Sequence, residues 1–195
     1  MKKSFFLLIS IIALLASCKK HNDDNNATTA EFYYDATIGG VPYKVEIPYN
    51  NSNSHLEAGS TLGGFDDVML AMNVSNTAPG GTGLGVGKMI MHNYQSSTID
   101  QFKAFLAPGN YPVSISGSDG MSVSWTDPTG MPWDMDLGSG DQTGSTMSII
   151  STEDAPSPIG TFYLKAKVQF NVKLYDINGV MKQASGTIVG LFGKI

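Results

Sequence analysis

The segment SWTDPTGMPWDMDLGSGD, residues 124–141, gathers Trp125 and Trp133 with Asp127, Asp134, Asp136 and Asp141. Side chains of these types serve three kinds of chemistry. Paired indoles offer flat apolar faces for sugar rings while carboxylates hydrogen-bond the hydroxyls around them; here Trp125 and Trp133 would be the stacking surface and Asp134 and Asp136 its rim. The aspartates Asp127, Asp134, Asp136 and Asp141 also supply the oxygen ligands calcium requires, with the Asp134 and Asp136 pair projecting from one strand face. Two carboxylates about 5 to 9 Å apart act as acid and nucleophile in glycoside hydrolysis. Each reading has a plain structural counterpart, in which the indoles pack inside a hairpin or core and the carboxylates sit solvated on a strand face.

Other catalytic signatures fail on spacing. In GGTGLGVGK, residues 80–88, a Walker loop needs glycine where Thr82 stands, and Lys88 is followed by Met89 instead of Ser or Thr. Dinucleotide spacing from Gly83 and Gly85 would require glycine at Lys88, so the run is expected to be a flexible loop between strands. His55 and His92 stand in no metal-ligand spacing, and no G-x-S-x-G elbow occurs. No cofactor is therefore expected.

The one cysteine, Cys18, sits in LLASCKK after Met1, Lys2, Lys3 and an apolar run from Phe5 to Ala16. That run matches a secretory h-region and is shorter than the roughly 20 apolar residues of a spanning helix. Leu15, Ala16 and Ser17 before Cys18 resemble a bacterial lipobox, which implies cleavage before the cysteine and acylation of its thiol. A lone cysteine makes no internal disulfide. Several acyl chains on Cys18 would give stable anchoring, since each buried methylene contributes about 0.8 kcal/mol. Residues 19–30, KKHNDDNNATTA, are too polar to bury a core and are expected to be a tether. Lys19 after the cysteine, in place of an aspartate retention signal, favours the outer membrane.

Removing residues 1–17 takes away Lys2 and Lys3 and no acid, leaving ten lysines against 17 carboxylates, a net charge of −7. All basic residues are lysine, so the planar guanidinium fork that reads phosphate and guanine is missing, and nucleic acid is disfavoured as a partner.

The remainder, residues 31–195, is one domain's length and reads as many short strands. In TFYLKAKVQFNVKLYD, residues 161–176, Phe162, Leu164, Ala166, Val168, Phe170, Val172 and Leu174 alternate with polar side chains, which predicts a long half-buried strand. Asn178-Gly179 predicts a hairpin to ASGTIVGLFGK, and Gly39-Gly40 predicts another between EFYYDATI and YKVEIPY. In DVMLAMNVS, Val68, Leu70, Met72 and Val74 share a face. Asp127-Pro128-Thr129-Gly130 fits a type I turn that would set Trp125 across from Trp133. One helix is expected near residues 98–107, where Thr98 and Gln101 fit a capping box and Ile99, Phe102, Phe105 and Leu106 share a face. The fold class expected is all-β, an antiparallel β-sandwich or barrel-like domain.

The lipobox, the ATIGGVPYKV hairpin, the WTDPTGMPWDMDLGSGDQTGSTMSIIST block and the closing KAKVQFNVKLYDINGVMKQASGTIVGLF together resemble small lipoproteins of Bacteroidota. The resemblance implies a β-sandwich on the cell envelope and brings no catalytic residues. The chain is thus expected to be a non-enzymatic outer-membrane lipoprotein, facing periplasm or cell surface. Its domain would bind or assemble, with a glycan or an envelope protein as partner. The alternatives are a glycan-directed hydrolase using the same carboxylates and a purely structural envelope subunit.

Overall fold

The computed structural model describes residues 31–47, 54–62, 66–115, 117–155 and 162–194. Cys18 and the expected tether lie outside them. The described elements, in chain order, are β1 (Phe32–Ile38), β2 (Val41–Ile47), β3 (Ser54–Leu62), β4 (Val68–Asn76), β5 (Gly83–Met91), α1 (Ile99–Phe105), β6 (Gly109–Tyr111), β7 (Gly120–Thr126), β8 (Pro132–Asp134), β9 (Thr146–Ala155), β10 (Phe162–Tyr175) and β11 (Met181–Lys194). They form one antiparallel sheet in the order β2-β1-β11-β10-β8-β7-β5-β4-β3, with β9 on β10 and β6 on β9. The fold is therefore all-β with one short helix.

Strand β10 is the spine. Its polar residues face out while Leu164, Ala166, Val168, Phe170, Val172 and Leu174 are buried, each large side chain contributing about 1.5–3 kcal/mol. Most of its length pairs with β9, and only its last residue, Tyr175, pairs with Asp134 of β8. The sheet thus branches at β10 and curls into a half-barrel, bringing β3 and β4 against β11. Closure is tight at Gly190, where a Cβ would lie 2.9 Å from the Met72 sulfur.

The turns follow local chemistry. Gly39 and Gly40 both take positive φ, +59° and +82°, as a two-residue turn twisted to match its strands requires. The loops 127–131 and 176–180 are built alike. In each an aspartate carboxylate accepts backbone N–H groups two and four residues on: Thr129 and Met131 at Asp127, Asn178 and Val180 at Asp176. Gly130 and Gly179, with φ of +84° and +81°, complete them by donating to the carbonyls of Asp127 and Asp176. The Asn178-Gly179 hairpin exists, but Asp176 organises it.

Helix α1 starts at the expected capping box. Thr98 Oγ1 accepts from the Gln101 N–H at 3.2 Å, and Gln101 Oε1 accepts from the Thr98 N–H at 2.8 Å. Phe102 and Leu106 are fully buried, Phe102 edge-on to Phe162, whereas Ile99 is exposed. Next to the helix, Lys88 of β5 turns inward. Its ammonium lies 4.0 Å from the Phe105 ring centre and 4.9 Å from that of Tyr111, and donates to the Met89 carbonyl. Burial pushes its pKa down.

Only residues 80–82 of GGTGLGVGK form the expected loop between strands. Residues 83–88 lie within β5, where Leu84 and Val86 enter the core and Gly83, Gly85 and Gly87 occupy the outer face. The period-2 alternation of apolar residues outweighs glycine's weak strand propensity.

The Asp127 turn gives a pH prediction. Burial opposes ionisation of this carboxyl, but hydrogen bonds from Thr129, Trp133 and Met131 outweigh it and lower the pKa below 3.8. Its stabilisation is complete above that value and is lost as pH falls through the folded pKa. Asp127→Ala should lower stability near neutral pH by about 1–3 kcal/mol, because a buried indole N–H loses its acceptor. Denaturant unfolding across acid pH should show the difference between variant and parent shrinking.

Candidate functional site

The outer face of β3, β4, β5, β7 and β8 carries an open trough of about 660 Å³. Strand register makes it. Glu57 stands opposite Asn73, Asn73 opposite Gly85, Gly85 opposite Ser124, and Ser124 opposite Asp134. With about 4.8 Å between strands, this row spans about 19 Å. A second row places Ala71, Gly87 and Ser122 in line.

The glycines form the floor. A Cβ on Gly85 would lie 2.8 Å from Ser124 Oγ, and one on Gly87 would lie 2.8 Å from Ser122 Oγ and 3.2 Å from the Met69 sulfur. Both serine hydroxyls therefore stand over backbone that carries no side chain. Glycine in a strand interior costs roughly 0.5–1 kcal/mol relative to alanine, and such a position often marks close approach by a ligand or another backbone.

Carboxylates mark the two ends, Glu57 at one and Asp134 with Asp136 at the other. Asp134 is half-buried and accepts the Asp136 N–H at 2.9 Å. Its pKa is raised, first by burial and further by the Asp136 charge, against hydrogen bonds from the Asp136 and Met135 N–H groups. Between the ends, Asn73 Oδ1 is buried without a hydrogen-bond partner.

The indoles follow the packing reading and form no stacking surface for sugars. Trp125 and Trp133 oppose each other across β7 and β8, as the Asp127 turn implied, with ring centres 6.4 Å apart. They are 2% and 5% exposed because this pair faces the core. Tyr43 packs at 4.9 Å from Trp125, the Lys182 ammonium caps Trp133 at 3.7 Å, and the Trp133 N–H donates to Asp127. Pleating then turns their neighbours, Ser124 and Asp134, outward into the trough.

The four aspartates also do not converge on a cation. Asp127 spends its oxygens on its own turn and on Trp133. Asp141 pairs with Lys173 at 2.6 Å, and that hydrogen bond holds its carboxyl well below the usual range. Only Asp134 and Asp136 of the four line the trough. Among the described residues no group of three His, Cys, Asp or Glu side chains is placed to hold a metal ion.

Sequence reading missed Glu57, Asn73, Gly85, Gly87, Ser122 and Ser124. The available signal was the strict alternation in GLGVG and SVSW, small or polar outward and apolar inward.

Since folding favours protonated Asp134, the ionised group costs stability above its folded pKa and nothing below 3.8. Asp134→Asn should therefore raise the thermal midpoint near neutral pH, with the gain vanishing on acidification. An unchanged or lower midpoint would show that the site does not strain this carboxyl. No protein-family model, curated protein or solved structure matches the chain.

Proposed function

We propose that the protein is an envelope lipoprotein, anchored through acylated Cys18 at the outer membrane, whose β domain binds a glycan in the trough. The glycine floor carries this reading. Gly85 and Gly87 sacrifice strand stability to leave backbone bare beneath two hydroxyls and between carboxylates. That combination suits an extended, hydroxyl-rich chain, which needs acceptors and donors along its edges and little depth beneath it. The Trp125 and Trp133 pair contributes indirectly, by fixing the strands that present Ser124 and Asp134.

Of the carboxylates a hydrolase in this block would use, Asp127 is engaged by its own turn and Trp133 and Asp141 by Lys173, which leaves Asp134 and Asp136 as that reading's pair.

Gly85→Val tests the binding reading. The variant should still fold, its side chain displacing the Ser124 hydroxyl 2.8 Å from the new Cβ, and lose the glycan-array signal of the parent. Retained signal would place any binding elsewhere. Cys18→Ala tests the anchor. It should abolish palmitate labelling and move the protein from the membrane to the soluble fraction; unchanged membrane fractionation would contradict the lipid anchor.

A further inference from the structure

Among the described residues the trough is lined by Glu57, Asp134 and Asp136 and by no lysine. Elsewhere on the described surface acids are commonly neutralised: Glu46 by Lys44, Asp141 by Lys173, Asp154 by Lys103, and Glu153 by Lys165. Glu57 and Asp134 make no ion pair among the described residues. Lys88, although on β5, points to the opposite face, into the core beside Phe105. Strand alternation thus turns Lys88, whose backbone crosses the trough, away from it.

The floor supplies acceptors too. Ser122 and Ser124 stand over the glycines, and the Asn73 amide, in line between Glu57 and Asp134, has a buried oxygen with no donor. An unmade hydrogen bond at a buried atom costs about 1–3 kcal/mol. A ligand donor that draws this amide toward it would remove that cost.

We propose that the trough recognises protonated amines carried on a slender extended chain, so that its glycan is an amino sugar polymer with free ammonium groups. Carboxylates at the two ends, on backbones four strand spacings or about 19 Å apart along the sheet, meet ammonium groups on different sugar units, while sugar hydroxyls lie over Ser122 and Ser124. A cation next to Asp134 also favours its ionised form, so binding relieves the repulsion from Asp136. This inference rests on the trough being the binding site.

The test uses the mature lipidated protein in detergent, titrated with a pentamer of β-1,4-linked glucosamine, its fully N-acetylated counterpart, and spermine. The free-amine pentamer should bind roughly ten-fold or more tighter than the acetylated one, weaken at high salt, and lose that preference in the isosteric double variant Glu57→Gln, Asp134→Asn. Gly85→Val, with its fold checked by thermal unfolding, should abolish binding. Equal binding of both pentamers, lost in Gly85→Val, would overturn the ammonium proposal and leave the glycan site standing. Spermine binding without either pentamer would keep the ammonium chemistry and overturn the sugar. Binding by none of the three would overturn the proposal.

Discussion

The packing of Trp125 against Trp133 is the interaction on which the outer face depends. Once both indoles face the core across β7 and β8, pleating leaves Ser124 and Asp134 no direction but outward. The indoles are held there by Tyr43 on one side, by the Asp127 carboxylate on the Trp133 N–H, and by the Lys182 ammonium over the rings. A slip of one residue in this register would send Asp134 into the core and an indole into water. The Asp127 turn, which fixes the hairpin, is therefore as much a part of the trough as the residues lining it.

The same logic runs across the sheet. Leu84, Val86 and Val123 bury their side chains on the inner face, and burial at that period leaves Gly85, Gly87, Ser122 and Ser124 on the outer one. The outer face is locally unfavourable: glycines weaken the strand, Asp134 is strained by burial and by Asp136, and one amide oxygen goes unpaired. Elsewhere the molecule has a capped helix α1, self-completing aspartate turns and lysine-paired acids, although the buried Lys88 ammonium and the unpartnered Trp125 indole N–H also carry a cost.

Much of the fold was legible because it rests on local signals. The alternation in β10, the Gly39-Gly40 turn, the buried face of β4 and the Thr98 capping box are each contained within a few residues. The trough was not legible in that way. Its long row draws residues from five strands separated by up to 77 positions in the chain, and only register brings Glu57 to the same line as Asp134. Glycine composition made β5 read as a loop, although the apolar residues between the glycines already had strand period. The side chains of the Trp and Asp block divide between two faces. The indoles and Asp127 build the core, and Asp134 and Asp136 reach the trough.

In the proposed function the glycine-floored face of β5 and its neighbours holds the ligand. Backbone amide shift mapping by NMR during titration with the glucosamine pentamer tests it most directly. The largest shifts should fall on Gly85, Gly87, Ser122, Ser124 and Asp134, with the exposed Asp35, Thr37 and Ser185 of β1 and β11 unmoved. Shifts centred on β1 and β11, or on the turn at Asp176, with residues 85–87 silent, would contradict it.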